Sequence, residues 1–82
     1  MTEAIAVRVA GAPSAAREIR VHLAELMARR GVGVGELAEQ VGIHPNNLTR
    51  IKNGHVDGMR WRTLRGICEA LQCQPGDLLT YE

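Results

Sequence analysis

Amide, hydroxyl and guanidinium side chains cluster within eight residues of this chain: Asn46, Asn47, Thr49, Arg50 and Asn53. At about 100° per residue of an α-helix, Leu48 and Ile51 would face a core and these polar groups the opposite side, with Asn47 at its flank. Asparagine pairs bidentately with adenine, arginine pairs with guanine, and threonine contacts the thymine methyl. The spacing therefore predicts a helix whose outward face recognises base edges of duplex DNA. The alternative is that the asparagines only favour a helix start and that Arg50 is solvated.

Positive charge is concentrated around the same stretch, although the whole chain has a formal net charge of only +1. Residues 44–65 hold five basic side chains against Asp57 alone, a net charge of +4, and residues 66–82 hold three acidic side chains, a net charge of −3. Such a local excess indicates a polyanionic partner, with a solvated basic face as the alternative. The side chains predicted to contact backbone phosphates are Lys52, His55, Arg60 and Arg62.

Other kinds of site find little support in the sequence. The three histidines and two cysteines have no recognised zinc-ligand spacing, and no paired carboxylates or activated nucleophile emerge. We therefore predict no metal, no cofactor and no enzymatic activity. Aromatic residues make up 2% of the chain, which disfavours the stacking platforms of single-strand binders. Cys68 is predicted to be a core thiol, and Trp61 to pack inward rather than to stack on a base.

Length and composition limit the architecture. A chain of 82 residues, 45% hydrophobic and 23% charged, suits one globular domain. No apolar run approaches the length of a membrane span, and residues 1–4 lack the basic start and apolar core of a secretory signal. These features predict a cytoplasmic protein without membrane contact, with no room for a sensor domain that binds a small molecule.

Hydrophobic periodicity predicts a helical domain over residues 15–82. The expected helices span residues 15–30, 36–41, 45–53 and 61–71, with a last turn from Pro75. Ile19 is expected to lie on the inward stripe of the first helix. Because Ile19 and Val21 are β-branched and poor helix formers, that helix is also expected to begin later than a cap at Ser14 implies.

A separate N-terminal arm is predicted over residues 1–14. Ile5, Val7 and Val9 alternate with period two, which is typical of a short strand. Since this strand has no evident partner in an otherwise helical chain, we expect it to pair with its copy across a homodimer axis. A disordered tail, or one packed on its own chain, is the alternative.

The segment GELAEQVGIHPNNLTRIKNG at residues 35–54 has the pattern of two helices that cross at a tight glycine turn. Together with TLRGICEAL at residues 63–71 and QPGDLL at residues 74–79, it resembles the lambda-repressor-like (Cro/Xre-type) helix-turn-helix family over residues 19–79. The resemblance implies a compact all-α domain of four to five helices that binds double-stranded DNA. The function it implies is transcriptional regulation, with repression as the expected effect.

The chain departs from this family's pattern at two helix starts. Gly33 and Val34 stand where the second helix usually opens with Thr or Ser and then Gln, so the phosphate contact of that Gln is missing. His44 replaces the usual Ser at the N-cap of the recognition helix and is expected to cap weakly. The alternative function is an antitoxin-like or adaptor module that binds a protein with the same fold. Gly33 and Val34 favour that alternative, and the +4 segment opposes it.

Overall fold

The structure, a computed structural model, describes residues 18–82, which form five helices and two short strands. In chain order the elements are β1 (Ile19–Val21), α1 (Leu23–Arg30), α2 (Val34–Val41), α3 (Pro45–Lys52), α4 (Trp61–Leu71), α5 (Pro75–Leu78) and β2 (Leu79–Tyr81). This mostly helical arrangement confirms the predicted fold class, to which the structure adds the strand pair. The predicted arm at residues 1–14 lies outside the described residues. Within residues 18–82, every helix is too short or too polar to cross a membrane.

The beginning of the domain differs from the prediction. Ile19, expected to face inward from a helix over residues 15–30, lies in a strand with 62% of its surface exposed. β1 pairs antiparallel with β2, and Ile19 stands opposite Tyr81. The helix begins only at Leu23, because β-branched Ile19 and Val21 fit an extended strand and find a partner at the far end of the chain. The expected later helix start is therefore confirmed, but the partner strand was not predicted.

The ring of His22 joins the strand pair to α1. Its Nε2 atom lies 2.7 Å from the hydroxyl oxygen of Thr80, and its Nδ1 atom lies 3.3 Å from a carboxylate oxygen of Glu25. The backbone N–H of His22 also donates to the carbonyl of Leu78 at 2.8 Å. The two ends of the described domain are thereby fastened to each other.

The core is aliphatic and draws on all five helices. Its most deeply buried large side chains are Leu23, Leu37, Leu48, Ile67, Leu71 and Leu78. Both α1 and α2 pack against α3 and against α4, so α3 is held from two sides. Burial of aliphatic surface is the main favourable contribution to folding, at about 25 cal/mol per Å² removed from water. The apolar face of α3 is therefore fixed by the core, and its other face is left to solvent.

A glycine allows α2 to approach α4 closely. A Cβ atom added at Gly66 would lie 3.2 Å from Cγ1 of Val41, which is tighter than an ordinary carbon contact. Gly66 thus lets α2 settle on α4 at a distance that a larger residue would increase. Since α3 follows α2 through a short turn, this contact also helps to set the position of α3.

The prediction for Trp61 was wrong, since 83% of its surface is exposed. The buried face of α4 consists of Thr63, Leu64, Ile67 and Leu71. At about 100° per residue these four side chains fill one side of the helix, and Trp61, the first helical residue, falls beside that side. Cys68, predicted as a core thiol, is only half-buried at the edge of the core.

We expect Trp61→Ala to change the free energy of unfolding by about 0.5 kcal/mol or less, because folding removes little of the indole from water. Emission from this single tryptophan should have the wavelength of indole in water and should shift little on denaturation. Fluorescence spectra of the wild-type protein test the emission wavelength. Urea titrations of the wild type and of the Trp61→Ala variant test the change in stability. A strongly blue-shifted native spectrum, or a loss of about 3 kcal/mol or more, would contradict the exposed position.

Candidate nucleic-acid interface

Helices α2 and α3 are joined by a turn that requires glycine. Gly42 has a φ of 87°, in the left-handed region that side chains rarely adopt. Its N–H donates to the carbonyl of Ala38 at 2.8 Å, and the N–H of Ile43 donates to the same carbonyl at 3.0 Å. Ala38 is 1% exposed, and its small side chain lets the next helix pass close by. The predicted pair of helices crossing at a glycine turn is therefore present, with α2 starting at Val34, earlier than predicted.

Gly42→Ala should lower the free energy of unfolding by about 1–2 kcal/mol, since a Cβ atom is strained at this positive φ. The matched control is Gly35→Ala in the first turn of α2, where nothing lies within 4 Å of the added Cβ. That control should leave stability unchanged or raise it by up to about 1 kcal/mol, because alanine is the better helix residue. Urea denaturation of both variants measures the difference. Equal losses of stability would show that the backbone of Gly42 is not the constraint.

The imidazole of His44 caps the start of α3, although a weak cap was expected from its residue type. The backbone N–H of Asn46 donates to Nδ1 of His44 at 3.0 Å. Pro45 follows at the first helical position, where its fixed φ is already helical. The ring nitrogen thus does what a serine oxygen does at other N-caps, and it must carry no proton to accept this bond.

The two faces of α3 differ as the sequence predicts. Leu48 is 0% exposed and Ile51 is 5% exposed, so both belong to the core. The exposed polar side chains of this helix and its C-cap are Asn46, Asn47, Arg50 and Asn53, whereas Thr49 is half-buried. The first turn of α3 therefore presents amide groups to solvent, and Arg50 follows one turn later.

An open groove separates α3 from the loop that precedes α4. Asn47 and Arg50 line this groove from α3, and Arg60 lines it from the loop. Within residues 18–82, no carboxylate lies within ion-pair distance of Arg50 or Arg60. Their guanidinium donors are consequently not engaged by acidic side chains of the described domain. We call this surface, defined by Asn47, Arg50 and Arg60, the basic groove.

Asp57 also lines the basic groove and was not among the predicted site residues. Its signal in the sequence was its position as the sole acidic residue of the basic segment 44–65. A carboxylate at this edge repels phosphates locally and can accept a hydrogen bond from the amino group of cytosine. Asp57 therefore limits how a polyanion fits along the groove.

Lys52 and Asn53 lie elsewhere than Arg50. They line a second groove, beside β1, together with Glu18, Glu25 and Glu82 and with the basic residue Arg20, whose Nε atom lies 3.6 Å from a carboxylate oxygen of Glu82. Lys52 is half-buried, as expected for a residue on the core side of α3. Three carboxylates line this second groove, whereas the basic groove is lined by one carboxylate, that of Asp57.

Arg62 and His55 complete the set of predicted contacts. Arg62 lines a third groove together with Trp61, on the outer side of α4. His55 is exposed in the loop after α3, and its N–H donates to the carbonyl of Arg50 at 2.8 Å. The structure therefore brings Asn47, Arg50 and Arg60 onto one surface and distributes the other predicted residues around it.

Comparison with known proteins agrees with this architecture. Residues 22–82 match the family of Cro/C1-type HTH DNA-binding domains, and the chain belongs to that family. It is also 46% identical over 63 residues to a Bacillus subtilis (strain 168) protein named uncharacterized HTH-type transcriptional regulator YozG. That alignment covers 77% of this chain and 75% of the relative. No solved structure gave a significant match. The resemblance inferred from the sequence is therefore confirmed.

Proposed function

We propose that this chain is a sequence-specific transcriptional regulator that inserts α3 into the major groove of double-stranded DNA. The proposal depends chiefly on the exposed polar face of α3, which Leu48 and Ile51 anchor to the core from behind. Helix-turn-helix domains place such a second helix in the groove, with its N-terminal residues against base edges. The name of the B. subtilis relative supports the regulatory part. Repression is the expected effect, because a bound domain blocks other proteins from the same DNA.

The base-reading residues of the proposal lie on α3 and at its C-cap: Asn46, Asn47, Thr49, Arg50 and Asn53. The exposed amides of Asn46 and Asn47 suit adenine, and the guanidinium of Arg50 suits the two acceptors of guanine. Thr49 is half-buried, and its methyl group is proposed to contact a thymine methyl. Asn53 lies beside the acidic second groove and is the most peripheral member of this set.

The phosphate-binding residues of the proposal are Lys52, His55, Arg60 and Arg62. Arg60 shares the basic groove with Arg50, which supports a contact between Arg60 and the backbone next to the bases proposed for α3. Lys52 shares its groove with three carboxylates and with Arg20, and the carboxylates reduce the local attraction for phosphate. We propose that the chain binds DNA without catalysing a reaction and that it acts in the cytoplasm. The proposed function requires no metal and no small-molecule ligand.

We further propose that the chain acts as a homodimer, because two recognition helices about one helical turn apart read two half-sites of DNA. The strand proposed to pair across the axis, with Ile5, Val7 and Val9, lies outside the described residues. Sedimentation of the intact chain and of a form lacking residues 1–13 tests this idea. The intact chain should have the mass of a dimer and the shortened form that of a monomer. Equal masses would overturn the proposed pairing.

A protein-binding module is the second candidate, and one observation favours it. Ile19, Trp61 and Tyr81 are large apolar side chains exposed at 62%, 83% and 60%. Exposed apolar surface of this kind is common where one protein docks on another. Ile19 and Trp61 line the same shallow depression, so a partner that covers one would reach the other.

Electrophoretic mobility of labelled random duplex DNA at low salt distinguishes the two candidates. A regulator should shift the duplex at protein concentrations of about micromolar, since sequence-independent phosphate contacts alone suffice at low salt. No shift up to about tens of micromolar would favour the protein-binding module. Selection of bound sites from the random pool then tests specificity, because a sequence-specific regulator must enrich one motif.

A further inference from the structure

The two cysteines of the chain meet at the end of α4. The N–H of Cys73 donates to the carbonyl of Cys68 at 3.0 Å, and the N–H of Gln72 donates to that of Glu69 at 3.4 Å. Gln72 has a φ of 53°, so the helix ends in a left-handed residue. These features define a Schellman motif, in which the side chains at the positions of Cys68 and Cys73 commonly contact each other.

The spacing of the two cysteines suits a covalent bond. The hydrogen bond between their backbones keeps the two α-carbons within about 7 Å, the range that a disulfide spans. Burial and the neighbouring Cys68 thiol raise the pKa of Cys73. The Schellman geometry puts the two side chains on the same side of the end of α4, where both line one groove.

Two side chains, those of Arg30 and Gln72, hold this end of α4 in place. The guanidinium of Arg30, on α1, donates from Nε to the carbonyl of Leu71 at 2.7 Å and from an Nη atom to that of Gln72 at 3.2 Å. The side-chain amide of Gln72 donates to the carbonyl of Glu69 at 2.8 Å. Because these bonds satisfy the last carbonyls of the helix, the cysteines are held together by the fold itself.

Small reagents can reach the pair. Both cysteines are half-buried, and both line an open groove on the outer side of α4. The same groove is lined by Arg62 and Arg65, with Glu69 as its acidic member. The excess of positive charge favours the approach of an anionic low-molecular-weight disulfide, such as glutathione disulfide.

We propose that Cys68 and Cys73 form a reversible intramolecular disulfide, with a low-molecular-weight disulfide as the oxidant. The Cys68 thiolate attacks one sulfur of the oxidant, whose S–S bond breaks and releases one thiolate, so that Cys68 carries a mixed disulfide. The Cys73 thiol then loses its proton and attacks the Cys68 sulfur, and the second small thiol leaves. The protein loses two hydrogen atoms, and the oxidant is reduced to two thiols.

The order of attack follows from the state of Cys73. Burial and the neighbouring Cys68 thiol raise the pKa of Cys73, which lowers the fraction of Cys73 thiolate, so the first attack is assigned to Cys68. The finished bond would tie the end of α4 to the residues just before α5. The bond would restrict the unfolded chain, and the loop it closes is short, so we expect the thermal midpoint to rise by only on the order of 10 °C.

Intact-mass spectrometry of the full chain in glutathione redox buffers tests the proposal. Under oxidising buffer the wild-type chain should lose two hydrogen atoms and carry no adduct, and reducing buffer should reverse the change. Cys68→Ser and Cys73→Ser each leave one thiol, and each should instead accumulate a glutathione adduct. Persistent free thiols, a stable adduct on the wild type, or disulfide-linked dimers would each overturn the proposal. The wild-type masses decide the matter even if a variant fails to fold.

Discussion

Replacing Arg50 with alanine should weaken binding to the preferred DNA site by about 5- to 150-fold, equivalent to roughly 1–3 kcal/mol. Binding to a scrambled duplex should change less, and preference at one base position should relax. The reason is that Arg50 is exposed on α3 and lines the basic groove with Asn47 and Arg60. Two of its guanidinium N–H donors can pair there with the two acceptors of a guanine edge. Fluorescence anisotropy titrations with both duplexes measure the two affinities.

Two control variants separate base reading from charge. Arg50→Lys keeps the positive charge but lacks the planar fork, so it should retain binding to the scrambled duplex and lose the preference. Arg29→Ala removes the same charge from an exposed position in α1 and should leave the preference intact. If Arg50→Ala weakens both duplexes equally, Arg50 contacts a phosphate and the placement of α3 in the groove is wrong.

Lys52 offers a comparison on the same helix. If Lys52 contacts a phosphate, Lys52→Ala should weaken binding to all duplexes alike. It should also reduce the magnitude of the slope of log affinity against log salt by about one unit. Because Lys52 is half-buried and shares its groove with Glu18, Glu25 and Glu82, the change in slope should be smaller for Lys52→Ala than for Arg60→Ala. Titrations at several salt concentrations give both slopes.

Leu48→Ala should lower the free energy of unfolding by about 2–5 kcal/mol, because it removes a fully buried side chain from the contact of α3 with the bundle. A small domain has a total stability of only about 5–15 kcal/mol, so this variant should be partly unfolded at moderate temperature. DNA affinity should fall with it, since α3 is no longer held. Urea denaturation followed by circular dichroism measures the loss.

Leu48→Met is the matched control, because it keeps the side-chain volume. It should cost less than about 1.5 kcal/mol and leave DNA affinity unchanged. A stable Leu48→Ala variant that still binds DNA normally would show that α3 does not depend on this core contact. The pair of variants therefore separates positioning of α3 from the chemistry of its exposed face.

Helix α3 and the turn before it could be predicted closely from the sequence. Pro45 marks the start of α3, and the spacing of Leu48 and Ile51 determines which side faces the core. Gly42 marks the turn, because a left-handed residue is needed there. These features are local, so a few neighbouring residues contain the necessary information.

A long-range contact and details of local backbone geometry account for what could not be predicted. Ile19 joins a strand because Tyr81 lies opposite it, a pairing between the two ends of the described domain. Trp61 suggested a core residue by its type, but Thr63 occupies the inward position of that turn. The cap of His44 and the contact between the cysteines depend on backbone geometry, which residue type alone does not specify.

Titration of isotope-labelled protein with duplex DNA, followed by backbone amide NMR, tests the central claim most directly. If α3 enters the major groove, the largest shifts should come from Asn46, Asn47 and Arg50, with smaller ones from the loop that leads to Arg60. The strand pair and the α4–α5 connection should change little. Shifts concentrated instead around Ile19 and Trp61, or none at a DNA concentration above that of the protein, would contradict the account.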